Sequence, residues 1–200
     1  MNPWRNKILG VFLVSLLLLA GNVARAEVRF QNMDITGAEY GRDFALLDPD
    51  GKLRKIADFR GKVVMVFFGF IHCPDMCPTA LQRAAAVRRL LGDDGKKLQV
   101  IFVTLDPERD HPHILREYTA AFEADVLGLY GSIDKINETA KNFRVRFRKT
   151  PTEGSYTIDH TVTSYIYDPQ GRLRLSVPYH MSAEDIAADV RLLLKAFPTK

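Results

Sequence analysis

Residues 62–81 constrain the fold more than any other stretch: Lys-Val-Val-Met-Val-Phe-Phe-Gly-Phe-Ile-His-Cys-Pro-Asp-Met-Cys-Pro-Thr-Ala-Leu. From Val63 to Phe68 the chain is continuously apolar, rich in β-branched and aromatic residues. A short run with no polar alternation reads as a central strand covered on both faces. Gly69 ends the run. The only two cysteines of the chain, Cys73 and Cys77, follow where the strand gives way to a helix. Pro78 suits the first turn of that helix, where its missing N–H is not needed. A strand that delivers two thiols to a helix N-terminus reads as a site, and the rest of the chain as its scaffold.

The first 26 residues carry the three parts of a secretory signal. Arg5 and Lys7 are the positive start, residues 8–20 the apolar run, and Ala24-Arg25-Ala26 the small-x-small cleavage site. The expected organisation is a signal over residues 1–26 and one domain over 27–200. The apolar run is shorter than the ~20 residues a spanning helix needs. An uncleaved anchor, tethering the domain through residues 8–20, is the competing reading. Either way the domain is expected to be exported, periplasmic or held on the inner membrane facing the periplasm. No cysteine lies near the cleavage site, so a lipoprotein anchor has no support. The formal charge of +4 overstates the basicity of the domain. Of 28 basic residues Arg5, Lys7 and Arg25 fall in the signal, and the remaining 25 face 24 acidic ones. That balance carries no electrostatic footprint for nucleic acid. A hydrophobic content of 46% suffices for one core.

Along the domain, residues 27–42 read as an arm packed on the body. Phe44 to Leu47, the turn Asp48-Pro49-Asp50-Gly51 and residues 52–56 read as a small hairpin. The strand at 62–68 leads into a helix carrying Leu81, Ala84, Val87 and Leu91 at helical spacing, ended by Gly92 to Gly95. Residues 99–105 form a second buried strand, so strand, helix and strand imply a right-handed parallel crossover. A helix from Pro112 to about residue 123, a short strand at 126–130 and a helix capped by Ser132 follow. Residues 144–158 read as a basic edge strand and loop. A strand at 162–167, the turn Asp168-Pro169-Gln170-Gly171, a strand at 173–177 and a helix begun by Ser182 and Asp185 complete the chain. The expected class is α/β and thioredoxin-like: a βαβ core plus an antiparallel C-terminal hairpin, with helices on both faces. If strand 162–167 runs antiparallel to strand 62–68, its start lies beside the other's end. His160 then neighbours Cys73 and Cys77.

Two soft thiolates and an imidazole suit Cu(I). A structural zinc site would want a fourth protein ligand, and there is no third cysteine. The helix N-terminus favours thiolate over thiol. The competing reading in an oxidising compartment is a structural disulfide; across three intervening residues it closes a tiny loop of little entropic value. Two enzymatic alternatives use the same thiols, a thiol–disulfide oxidoreductase with Cys73 and Cys77 as its redox pair and a peroxide-reducing enzyme. His72 adjoins Cys73 and reads as a supporting residue. His111 and His113 read as an exposed pair, and His180 and Met181 as loop residues. The acidic block from Asp106 to Asp110 reads as a solvated turn, and residues 144–149 as a solvated basic face able to meet an acidic partner.

Gly69 to Thr79, with its Cys-x-x-x-Cys-Pro core, resembles the signature of the Sco/SenC copper chaperones. Asp106-Pro107-Glu108-Arg109-Asp110 is similar to their second block. Asp159-His160 and Tyr167-Asp168-Pro169-x-Gly171 are similar to their third. The resemblance covers roughly residues 40–197. It implies copper ligation by Cys73, Cys77 and His160, and delivery of copper to the CuA centre of cytochrome c oxidase subunit II. The alternative within that setting is reduction of the CuA cysteines. A periplasmic copper donor and a thiol reductant are further expected partners. His111 departs from the family's frequent Thr, and Met76 from its frequent Val.

Overall fold

The computed structural model describes residues 29–122 and 125–197. The expected signal and the tether at residues 8–20 lie outside the described residues. The elements run β1 (Met33–Asp34), β2 (Leu46–Leu47), β3 (Leu53–Arg54), β4 (Val63–Gly69), α1 (Met76–Leu91), β5 (Leu98–Thr104), α2 (Pro112–Ala120), β6 (Val126–Leu129), α3 (Ile133–Asn142), β7 (Phe147–Thr152), β8 (Ser155–His160), β9 (Ser164–Tyr167), β10 (Leu173–Val177) and α4 (Ala183–Ala196).

Six strands form one sheet in the order β1-β10-β9-β4-β5-β6. Every residue of β4 and β5 is buried, which is why neither alternates in sequence. They pair in parallel from Val63↔Leu98 to Gly69↔Thr104, with α1 as the crossover. β6 extends the parallel side. β9 pairs antiparallel with β4, Phe67 opposite Ser164, and β10 returns beside β9.

The pleat sorts side chains onto two layers. Phe67 and Phe102 face α1 and α2, with ring centroids 6.2 Å apart. Phe68 faces the other way and meets Phe143, just after α3, at 5.0 Å. Tyr165 and Tyr167 join that second layer, their hydroxyls donating to the carbonyls of Phe143 and Gly41. Helix α4 packs beside α1 on the first. The architecture is thioredoxin-like, with helices on both faces.

The structure moves several expected boundaries. Asp75 is the N-cap of α1, so the helix begins two residues before Pro78 and takes in Cys77. Pro78 remains in the first turn, where no backbone donor is required. α2 stops at Ala120 because the next turn tightens: the amides of Ala121 and Phe122 reach back to Tyr118 and Thr119. Residues 147–160 are a separate two-stranded hairpin, β7–β8, not an edge strand and loop.

Both Asp-Pro-x-Gly turns use one device. Asp48 Oδ1 accepts from the amides of Asp50 and Lys52, each at 3.0 Å, and Asp168 Oδ1 accepts from Gln170 and Arg172, each at 3.0 Å. The turn closes on a glycine at φ 76° in each case, a conformation costly for any side chain. The second carboxylate oxygen takes an arginine, Arg54 or Arg172.

The N-terminal arm is strapped to α4 by one carboxylate. Asp189, fully buried, accepts from the Gln31 amide at 2.8 Å, the Asn32 amide at 2.8 Å and Asn32 Nδ2 at 2.7 Å. Asp189→Ala leaves the buried Asn32 donors without an acceptor. It is expected to lower unfolding free energy by about 3 kcal/mol, read by urea denaturation at neutral pH, with amide exchange accelerated first across residues 31–34.

Candidate metal centre

The site begins at the end of β4. A Cβ on Gly69 would stand 2.8 Å from Cys77 Sγ and 2.8 Å from Phe102 Cε2. The Cys77 sulfur therefore occupies volume that any other residue at position 69 would fill. Cys77 lies in the first turn of α1, fully buried. Cys73 lies on the preceding loop, half-buried, its amide donating to the Phe70 carbonyl at 3.3 Å. Both thiols are free.

The loop after β4 is clasped by the loop after β5. Leu105 N donates to the Gly69 carbonyl at 2.7 Å. Asp110 Oδ2 accepts from the Ile71 amide at 3.0 Å and from Thr104 Oγ1 at 2.6 Å. Asp106 and Asp110 are both fully buried. The expectation of a solvated turn is therefore wrong: these carboxylates bind backbone and neighbouring side chains inside the protein. Burial pushes the Asp110 carboxyl above its ordinary range, the Thr104 and Ile71 donors partly offsetting it. His72 Nδ1 lies 3.8 Å from Asp110 Oδ1, with the imidazole half exposed. His111 and His113 are exposed, as expected, and stack with rings 11° from parallel. Met181 is half-buried against the core.

His160 arrives as the last residue of β8. Strand alternation turns Asp159 outward, where Arg148 and Thr150 hold it, and His160 inward. The basic run is partly neutralised in the same way, since Lys149 pairs with Glu108 at 2.6 Å. The hairpin is locked to the acidic loop. Tyr156 OH donates to Asp106 Oδ1 at 2.8 Å, and Arg109 pairs with the same carboxylate. Arg109 also donates to the Tyr156 carbonyl at 2.9 Å and lies 3.7 Å over its ring. The imidazole packs edge-on against Phe67 and Phe70, at 6.2 and 5.9 Å.

His160 Nδ1 lies 2.9 Å from the Thr161 carbonyl. A carbonyl only accepts, so the proton sits on Nδ1 and the Nε2 lone pair is free. Nε2 lies 3.6 Å from Cys77 Sγ. Burial also lowers the His160 pKa, which keeps the ring neutral. The Cys73 sulfur accepts from the Cys77 amide at 3.4 Å, so the α1 N-terminus points at Cys73. Cys77 itself does not ionise easily. Burial pushes its thiol well above the ordinary range, and the neighbouring Cys73 adds to this; the Phe70 amide lowers it only in part. The expectation that the helix N-terminus favours thiolate fails at Cys77, because desolvation outweighs a partial charge at a helix end.

Cys73, Cys77 and His160 are thus neighbours, as the antiparallel pairing of β9 with β4 led one to expect. They do not form a closed cage: no cluster of three His, Cys, Asp or Glu side chains among the described residues is tight enough to hold a metal ion. Cys77 contacts both other groups, and Cys73 sits on the loop before α1. Sequence reasoning missed the Asp110 clasp and the role of Gly69. The signal for Gly69 was present, since it continues the face of Phe67 and stands four residues before the first cysteine.

The SCO1/SenC family model matches residues 32–195. This chain belongs to the SCO1/SenC family. A mitochondrial SCO2 homolog from Mus musculus is 37% identical over 159 residues, covering 78% of this chain and 62% of that protein. The chain therefore matches less than two thirds of the length of that curated relative. Among solved structures, ScoI of Bradyrhizobium japonicum with copper bound is 37% identical, with a TM-score of 0.69 over 77% of this chain and 98% of that one. Apo Sco1 from Thermus thermophilus is 36% identical, with a TM-score of 0.74 over 84% and 99%. The SCO1/SenC resemblance in the sequence is borne out, and so is the fold it implied. Among the described residues of this family member, no helix is long and apolar enough to cross a membrane.

Gly69→Ala is expected to force the Cys77 sulfur or the Phe102 ring aside. A cost of about 1–3 kcal/mol in stability is expected, typical of an overpacked core, read by denaturant titration. The His160 shift gives a pH dependence. Its native pKa lies below the ordinary 6.5, so below that pH the unfolded chain binds the proton more readily. The contribution is neutral above pH 6.5 and stability is lost as pH falls from there towards the native value. Between about pH 7.5 and pH 5 the drop in thermal midpoint is expected to be smaller in His160→Gln than in the parent.

Proposed function

We propose that this protein is an exported copper chaperone. It binds Cu(I) through Cys73, Cys77 and His160 and delivers it to the CuA centre of cytochrome c oxidase subunit II. The observation that carries the proposal is the neutral imidazole whose Nε2 lone pair lies 3.6 Å from the Cys77 sulfur. With metal–sulfur and metal–nitrogen distances of about 2.3 and 2.0 Å, that spacing subtends roughly 110–115° at a shared ion. This suits a three-coordinate soft cation with Cys73 swung in as the third donor. The soft donors and the lack of a fourth ligand favour Cu(I) over zinc. Copper is cargo in this scheme. The more accessible donor is the half-buried Cys73, so an acceptor's thiolate can replace it first and draw the ion away by ligand exchange. The copper-bound state of the ScoI relative supports the same reading. Export to the periplasm or to its inner-membrane face is part of the proposal, resting on residues 1–26. So are an upstream copper donor and a thiol reductant that keeps the pair reduced.

A second reading has one observation in its favour. The two thiols are free and adjacent, with the Cys77 amide donating to the Cys73 sulfur. That suits a thiol–disulfide oxidoreductase acting on the CuA cysteines. A peroxide-reducing role is disfavoured, because burial keeps the Cys77 thiol protonated.

The test is anaerobic Cu(I) titration of the reduced domain against a competing chelator. The parent is expected to saturate near one equivalent. His160→Ala is expected to lose more than about 100-fold in affinity, since removing even an outer partner of a metal ligand costs 10–100-fold. Equal affinity in parent and variant would overturn three-ligand binding. Turnover of an oxidised target peptide that survives in His160→Ala would favour the oxidoreductase.

A further inference from the structure

The imidazole reaches the thiols on a hairpin that is part of no larger sheet. On β8 the side chains of Tyr156, Ile158 and His160 alternate onto one face. Ile158 is buried in the core and fixes the middle of the strand. At the His160 end the Thr161 amide donates to the Arg146 carbonyl at 2.9 Å, which ties the two strands to each other and not to the body. A two-stranded hairpin is marginal by itself, so its angle to the body depends on what grips its far half. Among the described residues two ties do so. One is Lys149 to Glu108 at 2.6 Å, an exposed ion pair worth little in water. The other is Tyr156. Its hydroxyl donates at 2.8 Å to Asp106 Oδ1, on a fully buried carboxylate. Its ring lies 3.7 Å beneath the Arg109 guanidinium, which pairs with that carboxylate and donates to Ser155 Oγ at 3.3 Å. Phenol, guanidinium and carboxylate close one unit, and removing the phenol takes a partner from both of the others.

This unit stands well away from the thiols. Tyr156 is four residues from His160, roughly 13 Å along an extended strand. Ile158 lies midway, about 6.6 Å from each. A tilt of about 4° around that point moves the histidine end by about 0.5 Å, the tolerance within which a site must hold its donors. We propose that Tyr156 is a positioning residue of the metal centre: gripped by Asp106 and Arg109, it sets the angle of the hairpin and so the 3.6 Å separation of His160 Nε2 from Cys77 Sγ. This rests on the copper-transfer reading above. With the grip in place the imidazole is the third donor, and without it Cu(I) is left with the two sulfurs. A phenol that never meets the ion thus governs how many donors hold it.

The test is a double-mutant cycle. Tyr156→Ala and Tyr156→Phe are each made in the parent and in His160→Ala, and Cu(I) affinity is measured anaerobically by chelator competition. In the parent background Tyr156→Ala is expected to weaken binding roughly tenfold, the lower end of what lost support for a metal ligand costs. Tyr156→Phe, which keeps the ring under Arg109, is expected to weaken it less, and it carries the same comparisons should the alanine variant not fold. In the His160→Ala background neither change is expected to alter affinity, because Tyr156 acts through the imidazole. X-ray absorption of copper-loaded Tyr156→Ala is expected to show both sulfurs and a weakened nitrogen shell. An effect of equal size in both backgrounds assigns Tyr156 to general stability and overturns the proposal. Parental affinity in both Tyr156 variants, or an undiminished nitrogen shell, overturns it as well and leaves copper binding intact. A parent that binds no Cu(I), or a His160→Ala variant as tight as the parent, overturns three-ligand binding itself, and the positioning role with it.

Discussion

The site depends on one close approach, the Cys77 sulfur against the bare backbone of Gly69. A thiol in the first turn of a helix normally faces the strand beneath it, and a strand as crowded as β4 leaves no room there. Phe67 precedes Gly69 on the same face and Phe102 flanks it on β5. Glycine opens a hole of one side chain between two aromatic walls. The sulfur fills it, so α1 can sit close to the sheet with its reactive atom buried. That burial suppresses ionisation of Cys77 and leaves Cys73, four residues earlier on the loop and half-buried, as the more accessible of the two thiols.

The second requirement is that an imidazole 83 residues downstream hold its position without direct backbone continuity to the thiols. β9 alone does not secure this, because the chain leaves the main sheet and returns through a two-stranded hairpin. A two-stranded hairpin is marginal by itself in water. What fixes it is the loop after β5. Asp106 binds Tyr156 and Arg109, Arg109 stacks on Tyr156, and Asp110 in the same loop binds the amide of Ile71 beside the cysteines. One short acidic segment thus braces the thiol loop with one carboxylate and the histidine hairpin with another. The two halves of the site are registered against a common part rather than against each other.

Much of this was legible in the sequence. Val63 to Phe68 and Val100 to Val103 have no polar interruption, and only a central parallel pair covers both faces of such strands. From that pair and the Asp-Pro-x-Gly turn, the antiparallel return of β9 and the approach of His160 followed by topology. The Asp106 and Asp110 carboxylates were misread because charge density along a chain reports hydration only on average. Five residues with three acids and one arginine look solvated, and nothing local indicates that Tyr156, about fifty positions later, arrives to satisfy them. The hairpin at 147–160 was missed for a related reason. Its strands are exposed on one side and rich in Arg, Lys and Thr, so they lack the apolar alternation that marks a half-buried strand. The helix-end effect on Cys77 was misjudged because the sequence places a thiol at an N-terminus and does not say how deeply it is buried.

Charge balance explains how a site that suppresses ionisation when empty can still hold a cation. The protonated Cys77 thiol and the neutral imidazole bring no charge into the buried part of the pocket, which keeps its desolvation cost low. In the copper-transfer reading proposed above, two thiolates around one Cu(I) carry a net charge of −1 shared between the sulfurs. That excess sits at the N-terminus of α1, a 16-residue helix whose Cys77 amide already points at the Cys73 sulfur. The helix end that fails to ionise Cys77 in the empty protein is therefore placed to stabilise the loaded one. Acid reverses the exchange, since protons compete for both sulfurs and for Nε2. In that reading the ion leaves when an incoming thiolate replaces one of the two sulfurs, the step that a transfer protein, unlike a storage site, must keep within reach.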